Sequence, residues 1–299
     1  MREFQGYGDR VRGFAFLLWW VAASAWAPGL WAGDLELDHA RKLYSLTEFE
    51  QSLKVLQAIP GKDAAGYELM GRNYYGLADY KKATEALEKA LARDPNSSEI
   101  NLWLGRAYGR RAETSNPLSA PGHASKARQH FEMAAQLNPN NLDAQSDLFE
   151  YYLEAPGFLG GGLDKAAATA RQIANINPAE GYGAQAKLDE KRKEFGSAEE
   201  HLRRAIEVAP HQVGRFLDLA RLLTKQGRYS EADQNIAKAV QIAPNSAKVI
   251  FAQADIYIKG KRNLDVARDL LRRYLNLTLT PEDPPRSQAE RLLRQVQGD

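Results

Sequence analysis

Residues 64–97 read AAGYELMGRNYYGLADYKKATEALEKALARDPNS. In the second half of this stretch, Ala83, Leu87 and Ala90 follow one another at intervals of four and three residues, which places them on one face of a helix. Pro95 comes five residues after Ala90 and predicts that the helix ends before it. A similar apolar stripe precedes it, formed by Tyr67, Met70, Gly71 and Tyr74. The stretch therefore predicts two consecutive amphipathic helices.

The same spacing returns further along the chain. It is carried by Ala127, Phe131, Ala134 and Pro139, by Ala198, Leu202, Ala205 and Pro210, and by Ala232, Ile236, Ala239 and Pro244. An upstream stripe also recurs, at Phe216, Leu219, Ala220 and Leu223. Recurrence in phase with a period of about 34 residues is the signature of an array of helical hairpins.

This pattern resembles the tetratricopeptide repeat family, in which a large residue, Leu-Gly and Tyr are followed by Ala, Phe, Ala and Pro at set offsets. Residues 64–97 match nearly every position, and residues 213–246 match almost as well. The resemblance implies an all-α, right-handed superhelical solenoid that binds protein or peptide partners. It implies no catalysis and no cofactor.

The array is expected to hold about seven hairpins in a single domain over residues 33–299. They fall at about residues 35–60, 64–97, 98–141, 142–178, 179–212, 213–246 and 247–278. A capping helix is predicted at residues 286–297, with Ser287 as its N-cap, and Ser230 is a candidate N-cap within the sixth hairpin. With two short insertions, these elements fill the domain and leave no room for a separate catalytic unit.

The N-terminus has a different composition from the rest of the chain. Arginines at positions 2, 10 and 12 precede an uncharged apolar run over residues 14–26. Residues 27–32 follow, with the helix breaker Pro28 and the small residue Ala32 at the end. This order is typical of a secretory signal peptide, which predicts cleavage after Ala32 and export to the periplasm or beyond the cell. Cleavage after Ala25, or retention of residues 13–33 as a membrane anchor, are the alternatives.

The composition of the chain argues against several classes of function. Lys and Arg total 40 against 38 Asp and Glu, so the net charge of +2 argues against nucleic-acid binding. The absence of cysteine excludes disulfides, thiolate metal sites and thiol nucleophiles. The five histidines lack metal-ligand spacing, so no metal is expected.

Two insertions interrupt the period. One lies near residues 112–123 and the other near 155–162, and both are expected to form surface loops with either a functional or a merely tolerated role. The second resembles an insert of exported bacterial tetratricopeptide repeat proteins. Its glycines are followed by Leu163-Asp164 rather than Lys-Ser/Thr, which argues against a phosphate-binding loop and favours Asp164 as an N-cap.

In the family that this chain resembles, the first helix of each hairpin lines a concave groove. The resemblance therefore predicts a partner-binding groove formed by Glu68, Arg72, Tyr75, Trp103, Arg106, Arg110, Asp147, Glu150, Glu154, Lys187, Arg221 and Lys225. Leu69, Leu102 and Phe251 are expected on the same face. Trp103 with its neighbouring arginines forms the sharpest cluster, as a partner anchor or as a packing residue between helices. The alternative function is a structural subunit of a cell-envelope assembly, bound through the convex face or the inserts.

Overall fold

The structure is a computed structural model that describes residues 29–297. The predicted signal peptide lies mostly outside these residues. The described part contains fifteen α-helices and one short 3₁₀ helix, and no strand occurs within it. Among the helices of this part, none has the length and apolar character needed to cross a membrane.

Fourteen of the helices form consecutive pairs. The first helices of the pairs are α1 (Gly29–Ser45), α3 (Ala64–Gly76), α5 (Ser98–Thr114), α7 (Leu142–Glu154), α9 (Pro178–Arg192), α11 (Val213–Lys225) and α13 (Ala247–Lys259). The second helices are α2 (Phe49–Ala58), α4 (Tyr80–Leu91), α6 (Ala120–Leu137), α8 (Leu163–Ile176), α10 (Phe195–Val208), α12 (Tyr229–Ile242) and α14 (Leu264–Leu275). Each packs mainly against its sequence neighbours, and short connections make neighbours antiparallel. The predicted all-α solenoid class is confirmed.

The last helix, α15 (Arg286–Gln297), packs on α14 and α13. Hydrogen bonds from two arginine side chains hold α15 in place near its two ends. Arg286 donates a hydrogen bond of 2.6 Å to the carbonyl of Leu277, and Arg268 of α14 donates one of 3.0 Å to the carbonyl of Val296. Both contacts satisfy carbonyl groups at or just beyond helix C-termini, which have no partner inside their own helices.

The apolar stripes that define the period form the core of the array. Ala83, Leu87 and Ala90 of α4 are fully buried, and the equivalent residues of α6, α10 and α12 are buried as well. The helices end before the prolines, as predicted. Pro178 additionally forms the first turn of α9, where its missing N–H is harmless because no intrahelical bond is made there.

Small residues allow the helices of a hairpin to approach closely. A Cβ placed on Gly71 would lie 2.4 Å from Leu87, and one on Gly105 would lie 2.4 Å from Phe131. Any side chain at these two positions overlaps a buried residue of the second helix. Glycine at these two positions therefore permits the close packing of the two helices.

Several predicted helix starts are wrong. Ser230, Asp164 and Ser287 lie inside α12, α8 and α15 rather than before them. Other side chains accept hydrogen bonds at helix starts, namely those of Asp63, Asp79, Ser97, Asn141, Asn177 and Ser246. A polar residue one or two positions inside a helix resembles a cap in sequence, and only the backbone angles separate the two.

The first insertion is mostly helical, which corrects the expectation of a loop over residues 112–123. The helix α5 continues to Thr114, and α6 begins at Ala120. Nothing between Tyr108 and Thr114 breaks a helix, and Pro121 sits in the first turn of α6, where proline is tolerated. Asn116 makes the turn between them by accepting hydrogen bonds from the amides of Leu118 and Ser119.

Candidate functional site

Trp103, on α5, is half-buried, and its ring contacts residues of the preceding first helix, α3. The guanidinium carbons of Arg72, on α3, and Arg106, on α5, lie 4.8 Å and 4.9 Å from the centre of its ring. Tyr75 of α3 meets the ring edge-on, with the ring centres 5.4 Å apart. We call these four residues, with Glu68 and Asp147, the Trp103 cluster. Cation–π and aromatic contacts of this kind hold a side chain in one orientation.

Carboxylates fix both guanidinium groups. Arg72 is ion-paired with Glu68 on its own helix and, at 2.6 Å, with Glu99 on α5. Glu99 also accepts the indole N–H of Trp103 at 3.0 Å. The contacts between α3 and α5 are therefore polar as well as aromatic.

On the other side, the cluster reaches the next first helix. Arg106 is ion-paired with Asp147 of α7 at 2.5 Å and with Asp143 of the same helix at 3.2 Å. These pairs join a cation of one repeat to acids of the next repeat.

Ion pairs of the same kind continue along the first helices. Lys187 and Lys191 of α9 pair with Glu150 and Glu154 of α7, the latter pair at 2.7 Å. Lys225 and Arg215 of α11 pair with Glu190 and Glu180 of α9, at 2.5 Å and 2.8 Å. We call this series, from α3 to α11, the ion-pair ladder. The basic and acidic runs seen in the sequence thus neutralise one another within the protein.

Burial changes the ionisation of several groups in the Trp103 cluster. Loss of solvent raises the pKa of Glu68 and the pKa of Asp147 above their ordinary values, despite the arginines beside them. Burial also raises the pKa of Tyr75 to about 12. The two carboxylates therefore hold their charge less readily than exposed ones.

A second region of the same surface forms a cavity of about 650 Å³ between α7, α9 and α11. Phe195 is the exposed apolar residue of its wall, because Leu153, Ala186 and Leu202, which also line it, are themselves buried. Its charged lining residues are Glu150, Glu154, Lys187, Glu190, Lys191, Lys193, Asp218, Arg221 and Lys225. This combination suits a segment that places an apolar side chain inside and polar groups at the rim.

The structure divides the twelve predicted groove residues into two groups and one outlier. The Trp103 cluster contains Glu68, Arg72, Tyr75, Trp103, Arg106 and Asp147. The cavity contains Glu150, Glu154, Lys187, Arg221 and Lys225. Arg110 belongs to neither group but adjoins the Trp103 cluster: it pairs with Glu113 and donates at 3.3 Å to the hydroxyl of Tyr80, whose ring centre lies 5.4 Å from that of Tyr75.

Other expectations for this face need correction. Leu69, Leu102 and Phe251 are buried, so they pack between helices instead of facing a partner. Sequence reasoning also missed Lys193 and Phe195, which line the cavity from the turn between α9 and α10. Lys193 has a positive φ of 67°, and no pattern in the sequence marks that conformation at a lysine.

The glycine-rich insert is a fixed loop. The amides of Gly160, Gly161 and Gly162 donate to the carbonyls of Gly157, Pro156 and Tyr152. Because these amides are already bonded, they are not available to a phosphate, in agreement with the sequence. Within residues 29–297, no group of three or more His, Asp or Glu side chains is placed to hold a metal ion.

The fold and this charged inner surface define a helical repeat protein of the solenoid class. Two family models described as "Tetratricopeptide repeat" match the chain, one at residues 64–97 and the other at residues 191–249. The two matched segments are tetratricopeptide repeats, and the fold that such repeats build is typical of protein–protein interaction.

Known proteins agree with this assignment. Superkiller protein 3 of Saccharomyces cerevisiae is 35% identical over 71 residues, which are 24% of this chain and 5% of the yeast protein. A tetratricopeptide repeat protein from Parabacteroides merdae has a TM-score of 0.58 at 14% identity, covering 89% of this chain and 99% of its own. One from Thermus thermophilus has a TM-score of 0.50 at 20% identity, covering 68% and 99%. At these identities the two structures show the fold alone.

Proposed function

We propose that the protein is a non-catalytic scaffold that binds a protein or peptide segment in its concave groove. The observation that carries this proposal is the cavity between α7, α9 and α11, which combines apolar lining atoms with charged residues from three first helices. A preformed hollow of this kind binds without reorganising the backbone, so less of the binding energy is lost to ordering.

The cavity is a better binding site than the Trp103 cluster. The Trp103 ring already contacts Arg72, Arg106 and Tyr75, and a partner would have to displace them. In the cavity, the side chains of Lys187, Lys191 and Lys225 are 50%, 41% and 63% exposed, so a ligand exchanges with their ion pairs more readily than with the more buried pairs of Arg72 and Arg106. The partner is therefore expected to contact the C-terminal half of the groove first.

A charge swap tests the use of the cavity. Lys191→Glu combined with Glu154→Lys keeps an ion pair between α7 and α9 but reverses the charges that a partner meets. We expect this variant to lose at least about tenfold in partner affinity, about 1.4 kcal/mol. Its stability should stay close to that of the wild type, because an exposed pair contributes only about 0.2–1 kcal/mol. Calorimetry with the captured partner and urea denaturation measure the two quantities.

The matched control is the same swap outside the groove. Arg204 and Glu207 form an exposed pair on α10, 2.8 Å apart, and do not line the cavity. Arg204→Glu with Glu207→Arg should leave affinity unchanged. Equal loss of affinity in both double variants, or in neither, would contradict binding in the cavity.

Site-specific photo-crosslinking in cells identifies the partner needed for these measurements. A crosslinking residue at position 225 should capture a protein that the same residue at position 204 does not. The crosslinking residue should also be placed in the inserts, at positions 118 and 158, because Phe158 is 83% exposed and Leu118 is 96% exposed. That exposure favours the alternative, a structural subunit of a cell-envelope assembly held through its inserts or convex face. Capture at positions 118 and 158 alone would support the alternative.

We also propose that the protein is exported, to the periplasm or outside the cell. The arginines and the apolar run within residues 1–32 support this proposal. The intact mass of the protein recovered from cells tests it. Loss of residues 1–32 indicates cleavage after Ala32, whereas a full-length mass in the membrane fraction indicates an anchor at residues 13–33.

A further inference from the structure

The two guanidinium groups that contact Trp103 are each ion-paired with a partly buried carboxylate. The side chains of Glu68 and Asp147 are 19% and 27% exposed, whereas that of Glu154, further along the ladder, is 63% exposed. Glu68 holds Arg72 and Asp147 holds Arg106. Protonation of these two acids therefore removes one of the two ionic partners of each arginine, since Glu99 and Asp143 are the others.

We infer that the Trp103 cluster is an acid-sensitive latch on the concave groove. When Asp147 and Glu68 take up protons, Arg106 and Arg72 lose ionic partners and leave the indole, which then becomes accessible on the groove surface. The effect on binding rests on the proposed function, but the opening itself needs no partner. This latch would regulate binding. In acid, Trp103, Arg72 and Arg106 become available to a partner, whereas at neutral pH they contact one another.

The surroundings of Asp147 favour its protonation. Arg106 of α5 is the cation that faces it, while Asp143 and Glu150 on its own helix add negative charge, and Tyr75 of α3 lies near it. On the side of α9, Lys187 is engaged by Glu150. The side chain of Asp143, the second ionic partner of Arg106, is 69% exposed, so an Arg106 that keeps only this partner turns toward solvent.

Glu68 has a comparable environment on the other side of the indole. Arg72 on its own helix and Arg41 on α1 are the cations near it, and Glu99 of α5 repels it. The neighbouring phenol of Tyr44, on α1, is itself made less acidic by burial. Loss of charge at Glu68 leaves Arg72 with Glu99 alone, which is better exposed.

These groups respond to acid without favouring unfolding. The pKa of Glu68 and the pKa of Asp147 are higher in the folded protein than in an unfolded chain, because burial disfavours the charged form. Stability from such groups is fully present below their unfolded pKa and is lost as pH rises through the folded pKa. Acidification thus neutralises both side chains without loss of the stability that these two groups contribute.

The fluorescence of Trp103 tests this inference directly. Trp103 is the only tryptophan after Trp31, so the full chain minus the Trp103→Phe variant gives its signal alone. We expect acrylamide quenching and the emission wavelength of Trp103 to rise between about pH 7 and about pH 4.5, the range above the ordinary carboxylate pKa. Helicity by circular dichroism should stay constant over this range.

Two variants imitate the protonated state. Asp147→Asn and Glu68→Gln should each show increased quenching of Trp103 at neutral pH and a weaker response to acid. Glu154→Gln is the matched control, since it neutralises an exposed acid of the ladder at a distance from the indole, and it should keep the wild-type profile. If Asp147→Asn fails to fold, the wild-type titration and Glu68→Gln still decide the matter.

If the quenching and emission wavelength of Trp103 do not change with pH in the folded wild type, the latch is wrong. It is also wrong if Asp147→Asn and Glu68→Gln both respond to acid as the wild type does. The proposed function is judged separately, because these measurements contain no partner. The two results can differ. If acid exposes Trp103 but the charge swap at Lys191 and Glu154 does not change partner affinity, the latch is supported and binding in the cavity is refuted.

Discussion

Gly105 and Gly109 occupy the same helix, α5, one turn apart, but differ in their surroundings. A Cβ on Gly105 would lie 2.4 Å from the Phe131 ring, whereas one on Gly109 meets nothing within 4 Å. We expect Gly105→Ala to lower the free energy of unfolding by about 1–3 kcal/mol, because it overfills a packed contact. Gly109→Ala should raise it by about 0.5–1 kcal/mol, because alanine restricts the unfolded chain and favours helix.

Urea denaturation of both variants measures these opposite signs. The pair controls for helix propensity, since the substitution and the helix are the same. If both variants gained stability, the close approach of α5 to Phe131 would not limit packing, and the helices would be free to separate slightly.

At this scale the sequence predicted on which helices the charged residues lie, but not how those residues pair. The repeat pattern placed Arg106 and Asp147 on the inner surface, but their mutual pairing depends on two residues 41 positions apart and on the angle between neighbouring helices. Neither is encoded in a local pattern. Burial of Leu102 was missed for the same reason, because one step around a helix separates the groove from the interface between helices.

At the scale of elements, the second insert provides the sharpest prediction. A Cβ on Gly161 would lie 1.8 Å from the carbonyl oxygen of Ala155, whereas one on Gly157 meets nothing within 4 Å. Gly161→Ala therefore cannot keep the loop as it is. We expect it to abolish the hydrogen bond from the Gly162 amide to the Tyr152 carbonyl, which is 2.8 Å long, and to release the loop locally.

Hydrogen exchange over residues 155–162 measures this release. Exchange of the Gly162 amide should accelerate in Gly161→Ala and stay unchanged in Gly157→Ala, with little effect on distant helices. Equal protection in both variants would contradict the backbone contact at Ala155.

Elements were predictable where apolar residues recur, and less so where the period is interrupted. The buried stripe of α4 is set by its own sequence, so its helix follows from spacing alone. The helical extension to Thr114 was missed because turn-forming residues further along suggested a loop, while the residues from Gly109 onward are compatible with helix. Propensity at a junction is weak, and packing between neighbouring helices decides the outcome.

For the whole molecule, stability is expected to come from apolar packing rather than from the ion-pair ladder. Most pairs of the ladder are partly exposed, and such pairs contribute about 0–1 kcal/mol each. The cavity between three first helices also belongs to this scale. It depends on how successive repeats are stacked, so the sequence of any one repeat could not have predicted it.

The apolar cores differ along the array, and this predicts the order of unfolding. The most extensive core of the described residues runs from Ala186 to Val296 and includes the capping helix. The N-terminal core of the described residues consists of Leu37, Ala40, Leu56, Ile59 and Leu69, with a few partly buried neighbours. In a linear array, each repeat is stabilised chiefly by its own core and its immediate neighbours.

Hydrogen exchange under native conditions should therefore show a gradient along the solenoid. Amides of α2 are expected to exchange first and those of α11 and α13 last, because opening free energies follow the local apolar packing. Removing one large residue from each core separates this gradient from simple fraying at chain ends. Leu56→Ala should accelerate exchange mainly in the first two hairpins, whereas Leu271→Ala should accelerate it across α11 to α15, since both residues are fully buried. If either variant accelerates exchange equally in all hairpins, the array unfolds as one cooperative unit. The stabilities of the separate cores are then coupled along the whole array.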